Sequence, residues 1–401
     1  VTATLTPEAR PAATALSPVT LVLAAGTFLM GTTEFVIAGL LTSVAADFSV
    51  TVAQAGLAIT VFALGMIVGA PTMALATLRL PHRVTLSAAL AVFAAGHALG
   101  ALTDSFTVLL GARFVTAVAT GAFWAVASVA AVRAAAPHAR TRVLGIVLGG
   151  GMLANVLGVP LGAFIGQLVG WRGTFWLLAG LAAVLAVTVA RQVPASPPAA
   201  EAPSVRAEIA SLRSGPLWLV LATCAMVTGG ALSIYSFISP VLTDLAGISE
   251  RWVPLVLMGF GIAALAGSIL GGRLGDARPF GVPVLTASAT LVIALALLVL
   301  PARPALVLVL LVLLGLVSLS ANPVLVGLAN RYGGSASTLA TAMPTAIFNL
   351  GTAIGTGIAA AALSSGLGAR GPVLVGFLGA ALVLVPLGIL VLRERGLRRA
   401  I

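Results

Sequence analysis

Lysine is absent and cysteine nearly so. Every basic residue in the chain is Arg. Without Lys there is no GxxxxGK[ST] phosphate loop, so the chain cannot itself be a P-loop ATPase. Cys224 stands alone, which excludes an internal disulfide and a cysteine-based zinc site. The three histidines, His82, His97 and His138, are scattered; neither metal nor cofactor is expected, and a membrane-embedded enzyme fits this pattern least. Charge is scarce too. Only 8% of the 401 residues are charged, where soluble domains carry about 25%, and the mean hydropathy is +1.17. A water-soluble fold is excluded.

In place of charge there are long apolar runs. Twelve recur, at approximately 19–41, 55–77, 84–102, 105–128, 142–165, 170–191, 216–242, 252–272, 281–300, 305–329, 338–363 and 371–392. Each is long enough to cross ~30 Å of hydrocarbon at about 1.5 Å per residue. The runs do not alternate, as the ten-residue strands of a membrane barrel would. An all-α polytopic membrane protein with twelve transmembrane helices is predicted. The net charge of +11 does not signal nucleic acid, because of where the arginines fall. With the amino terminus inside, sixteen lie in inner segments and only Arg172, Arg251, Arg303 and Arg370 in outer loops. That is the positive-inside bias, and it predicts both termini in the cytoplasm. Residues 1–18 are read as a tail before the first helix rather than a cleaved signal.

Residues 192–215, QVPASPPAAEAPSVRAEIASLRSG, are rich in Pro and Ala and too polar to span. They divide the chain into bundles over 19–191 and 216–393, with a tail at 394–401. Val205 to Arg213 has the pattern of a short interfacial helix. The two bundles repeat one another at an offset of a little under 200 residues. Asp47 corresponds to Asp244, residues 69–83 to 267–281, Asn155-Val-Leu-Gly158 to Asn349-Leu-Gly351, and Arg172 to Arg370. Two pseudo-symmetric six-helix bundles with a site between them near the midplane are expected.

One acid lies well inside a span. Of the ten acids, only Glu34 is deep; the others fall in tails, linker, loops or helix ends. Thr27, Gly31, Glu34, Ala38 and Thr42 follow one another at helical spacing, so the small and polar groups share a stripe turned away from lipid. An ionised acid there costs about 2.5–3.5 kcal/mol or more, and such residues generally serve a pathway or relay. The plainer alternative is a protonated Glu that hydrogen-bonds between helices. Arg113 is the matching oddity in the fourth run. Inside a span it needs a carboxylate, carbonyls or water: Glu34 is the only acid at comparable depth, and the alternative is snorkelling of its stem to the nearer interface. The fifth run carries Gly151, Asn155, Gly158, Gly162 and Gly166 on one face, with Pro160 inside. Small residues admit a close neighbouring helix, here expected from the other half, and Pro160 bends the helix. A cavity lined by Phe35, Phe123, Asn155, Tyr235 and Asn349 would be apolar with a few hydrogen-bonding groups and one acid. It suits a lipophilic, neutral or cationic solute. No nucleotide motor being present, the available drive is the proton gradient.

The stretches MGTTEFVIAGLL (30–41), LGALTDSFTVLLGAR (99–113), LGVPLGAFIGQLVGWRGTFW (157–176), LTDLAGISERWVPLVL (242–257) and GGRLGDARPF (271–280) resemble the twelve-span drug:proton antiporters of the major facilitator superfamily. The resemblance covers essentially the whole chain and is nearest to the bacterial chloramphenicol exporters. It implies the major facilitator fold and proton-coupled efflux by alternating access. Glu34 and Arg113 match the proton-coupling residues. Gly149, Gly158, Pro160 and Gly162 match the antiporter motif. Gly272, Arg273, Asp276 and Arg278 match the second-half cytoplasmic gating loop. The first copy of that loop, ATLRLPHR (76–83), keeps Arg79 and Arg83 but has no acid, which weakens its charge lock.

The expected activity is export of a small amphipathic compound, a phenicol-like antibiotic, from the cytoplasm across the bacterial cytoplasmic membrane. The expected partners are that solute, protons and the bilayer, with no nucleic acid, and the chain is expected to act as a monomer. The motif GAFWAVAS (121–128) also resembles sugar, arabinose and purine exporters. A receptor or assembly protein that keeps the fold without transporting is a further alternative.

Overall fold

Twelve long helices make up the computed structural model, which describes residues 17–77, 80–135, 139–194, 214–301, 303–333 and 338–399. Arg79, the two tails' extremities and the interfacial helix expected at 205–213 lie outside the described residues. The spans are α1 (Pro18–Gly39), α2 (Val52–Met73), α3 (His82–Leu102), α4 (Phe106–Ala134), α5 (Arg142–Val169), α6 (Trp171–Gln192), α7 (Gly215–Ser236), α8 (Glu250–Ala277), α9 (Gly281–Val299), α10 (Pro304–Gly333), α11 (Met343–Ser364) and α12 (Arg370–Glu394). Local chemistry sets several of their starts. Ser17 caps α1 ahead of Pro18, its hydroxyl accepting from the Thr20 N–H, and Thr51 and Gln54 form a reciprocal capping box at α2. Between α5 and α6 the chain turns at Gly170 with φ +80°, a backbone region that side chains other than glycine rarely enter.

Large apolar side chains such as Leu102, Leu168, Val184, Val292 and Leu392 are more than 60% exposed. On a water-soluble surface this would be untenable; here it is the face presented to acyl chains. Inside, the two halves repeat the same neighbour scheme. The contacts α1–α5, α2–α4, α3–α4 and α3–α6 recur as α7–α11, α8–α10, α9–α10 and α9–α12. Glycines make these crossings close. A Cβ on Gly351 would meet the Ala225 backbone of α7, and one on Gly121 the backbone of Gly69 and Ala70 in α2.

The expectation that the small-residue face of α5 seals one half against the other is corrected here. Gly151, Gly158, Gly162 and Gly166 are crowded by Trp124 of α4, by Thr32 and Val36 of α1 and by Leu40 just after it, all within the first half, while Gly149 faces open space. Contact with the second half falls to one member of that stripe, Asn155, and to the residue after it. There Asn155 and Val156 present bare backbone to Gly261 of α8. The helix can do this because it widens into a π turn over Ala154–Gly158 just before Pro160. Pro160 offers no N–H to the carbonyl four residues back, and an extra residue in the turn absorbs the mismatch.

The end of the bundle remote from the 192–215 linker is closed. Glu250 at the start of α8 receives the Thr42 hydroxyl, and its carbonyl accepts from Gln167 Nε2 at 3.0 Å. Thr60 of α2 and Thr356 of α11 share a hydrogen bond of 2.9 Å.

Candidate functional site

The site begins with a break in α1. The helix tightens into a 3₁₀ turn at Ile37–Gly39, and the Ile37 N–H turns to the Phe35 carbonyl. In a continuous α-helix it would have bonded the Thr33 carbonyl. That oxygen is left available, and Arg113 takes it. Nη2 of Arg113 donates to the Thr33 carbonyl at 3.0 Å, Nη1 to the Thr33 hydroxyl at 2.8 Å, and Nε to the Ala58 carbonyl at 3.4 Å. The guanidinium also lies 4.2 Å from the centre of the Phe62 ring. Arg113 is only 1% exposed, so snorkelling is excluded. Its cationic fork is satisfied by backbone, hydroxyl and an aromatic face, as a planar five-donor group can be.

Arg113 therefore grips the residue before Glu34 and not Glu34. Successive side chains on a helix diverge by about 100°, so Thr33 faces α2, α3 and α4 while Glu34 faces the neighbouring sector. The Glu34 carboxyl has no hydrogen-bond or ion-pair partner among the described residues, and the residue keeps partial exposure. It is an electrostatic neighbour of both Arg113 in the first half and Tyr235 of α7 in the second. The acid thus stands at the seam between halves. Phe35 meets Tyr235 edge-on across this seam at 5.9 Å, and Tyr235 packs on Phe260 of α8 at 4.4 Å.

The other expected site residues divide. Phe35 and Asn155 are half-buried beside the seam. Phe123 is fully buried and does not line a void: its ring fills the recess left by Gly26 of α1. Asn349 is buried and donates to the Thr345 carbonyl one turn back. Arg83, Arg273, Asp276 and Arg278 are exposed at the linker end. Gly272 and Asp276, with Pro323 and Arg331, line a cavity of about 280 Å³ between α8 and α10. Pro160 lines an apolar groove between α5 and α8 at the opposite end, with Trp252 on its far wall.

Residues absent from the expected set hold the centre together. His97 of α3, 1% exposed, places Nε2 2.7 Å from the Thr33 hydroxyl and Nδ1 2.9 Å from the Phe93 carbonyl. The signal was available, since an ionisable group within a span is a functional candidate by the same rule that marks Glu34. The partner, Thr33, carried no signal. Glu250, one of the acids expected in loops or at helix ends, lies at the start of α8 and is part of the closure between halves. The duplicated outer residues also part company. Arg172 pairs with Asp47 and Asp104 and donates to the Ala101 and Thr103 carbonyls. Among the described residues its counterpart Arg370 forms no ion pair, and Asp244 bonds only the adjacent Thr243.

Comparison with known proteins agrees with this architecture. The sequence profile of the Major Facilitator Superfamily matches residues 23–355. A chloramphenicol resistance protein of Streptomyces lividans is 37% identical over 353 residues, covering 87% of this chain and 90% of that protein. A probable sugar efflux transporter of Helicobacter pylori is 34% identical over 248 residues, covering 62% and 63%. The crystal structure of a bacterial homolog of the human lysosomal transporter Spinster, inward-facing and occupied, superposes with a TM-score of 0.76 at 16% identity. It covers 94% of this chain and 97% of that one, and establishes the fold alone. With twelve membrane-crossing helices in two matching sets of six and a profile match over most of its length, this chain belongs to the major facilitator superfamily of transporters.

Proposed function

We propose that the protein exports a small lipophilic, neutral or cationic compound, a phenicol-like antibiotic, in exchange for protons across the bacterial cytoplasmic membrane. One observation carries this reading: a carboxyl at the seam of the two halves, partly exposed and without a hydrogen-bond partner among the described residues. An acid in that setting can exchange a proton for a solute group, because no hydrogen bond or ion pair among the described residues holds the carboxyl. The adjacent Phe35 and Tyr235 rings and the Asn155 amide offer an apolar surface with few polar contacts, which suits an amphipathic solute. The 37% identity to a chloramphenicol resistance protein supports the substrate class.

In this reading both termini and the linker are cytoplasmic, and the closed end is the outer one. Solute enters from the inside, displaces the proton at Glu34, and the halves rock about the α5–α8 and α2–α11 contacts. The second-half gating residues Gly272, Arg273, Asp276 and Arg278 govern the inner face. One charge moved through about 100 mV supplies ~2.3 kcal/mol, enough for a roughly fifty-fold solute gradient per proton. Likeness to a probable sugar efflux transporter favours a second reading, export of a sugar.

The test is drug accumulation in cells expressing wild type or Glu34→Gln, with and without a protonophore. Wild type is expected to lower accumulation only while the gradient stands, and Glu34→Gln to behave like empty cells. Export by Glu34→Gln at the wild-type level would remove the coupling role. Competition of phenicol or sugar against labelled-solute efflux in vesicles separates the two substrate readings.

A further inference from the structure

The closest neighbours of Arg113 leave one titratable side chain without a task. His97 lies at the end of a line of buried polar atoms, and the direction of every bond in that line follows from what each atom can do. Nδ1 faces the Phe93 carbonyl, which only accepts, so Nδ1 carries a hydrogen. Arg113 Nη1 only donates, so the Thr33 oxygen accepts from it. The hydroxyl then has one hydrogen to place, and Nε2 of His97, 2.7 Å away, is the acceptor. Thr33, His97 and Arg113 are each at most 1% exposed, so water does not substitute for any member.

We propose that His97 is a positioning residue whose Nε2 terminates a one-way hydrogen-bond chain, holding Arg113 on Thr33 and away from Glu34. The inference rests on the coupling role of Glu34 proposed above and specifies how that acid is kept without a partner. A chain of aligned bonds polarises its members: donation to His97 makes the Thr33 oxygen a better acceptor for the guanidinium. The chain also bars His97 from relaying protons. A hydrogen on Nε2 would point at a hydroxyl already receiving one from Arg113, and would leave that hydroxyl's own hydrogen without its acceptor.

A purely packing role is the rival, since the imidazole stacks on Phe93 at 4.1 Å and lies 5.2 Å from the Phe175 ring. Two substitutions separate them. His97→Phe keeps an aromatic ring and removes the acceptor; His97→Gln keeps an acceptor and removes the ring. The same logic pairs Thr33→Val with Thr33→Ser. Proton-driven export in inverted vesicles is expected to fall roughly tenfold for His97→Phe and Thr33→Val. His97→Gln and Thr33→Ser should retain most of it, with thermal midpoints recorded for all four. Equal export by His97→Phe and wild type, or equal loss in His97→Phe and His97→Gln, overturns the proposal. Glu34→Gln is run alongside: if it exports normally, the coupling reading is what fails. Nitrogen-15 spectra of histidine-labelled protein lacking His82 and His138 then judge His97 independently. A neutral ring protonated at Nδ1 is expected at neutral pH, and a ring protonated at Nε2 would refute the chain.

Discussion

Arg113 shows how a charge is kept in the interior of a membrane protein without a counter-charge in contact. The cost of removing a guanidinium from water is large, and here it is offset by three hydrogen bonds and the face of Phe62. A lysine cannot reproduce that grip, because a compact ammonium lacks the planar fork that spans from the Thr33 oxygens to the Ala58 carbonyl and cannot lie flat on a ring. Arg113→Lys is therefore expected to lower proton-driven export about tenfold or more. Vesicle assays would check this, and a wild-type rate would show that charge alone suffices. At this scale the sequence was half legible. Glu34 stood out because no other acid lies at its depth. Its relation to Arg113 depends on where α1 breaks and which sector each side chain takes, and neither is marked by local composition.

Between elements, close approach is governed by missing side chains. At the α7–α11 crossing a Cβ on Gly351 would strike the carbonyl and Cα of Ala225, whereas a Cβ on Gly180 in α6 meets nothing. Gly351→Ala should destabilise the protein by about 1–3 kcal/mol through overpacking. Gly180→Ala should be neutral or slightly stabilising, since alanine favours helix over glycine by about 1 kcal/mol. Thermal unfolding in detergent compares the two directly; equal midpoints would mean the crossing relaxes freely. The glycine spacing of α5 was plain in the sequence, but its partner was not. A small-residue face says that some helix comes near, and only the assembled bundle shows that this helix is α1.

Across the whole molecule, closure at the end opposite the linker depends on Gly261 meeting the Asn155 backbone and on Glu250 meeting Thr42. Gly261→Val would force these surfaces apart at a cost of about 1–3 kcal/mol. The ratio of closed to open forms should then fall by roughly five- to 150-fold. Spin labels at Ser105 and Leu367, on opposite halves at this end, would register a longer separation once Cys224 is replaced by Ser. An unchanged distance distribution would place the hinge contact elsewhere. Internal duplication made the two-bundle arrangement readable in advance. It also suggested an equivalence that the fold does not keep, because Arg172 is tied to Asp47 and Asp104 while Arg370 forms no ion pair among the described residues.

Twelve spans, their doubling and a lone interior acid were determined by the sequence itself, since hydropathy, helical period and scarcity of charge are properties of neighbouring residues. Only the tertiary structure decided that Arg113 reaches Thr33 across 80 residues of chain, that His97 completes that contact, and that α5 meets α8 through its π turn. These depend on which helices cross and at what depth. Hydrogen bonds and close packing act over a few ångströms, and no local pattern specifies which distant segments come within that range.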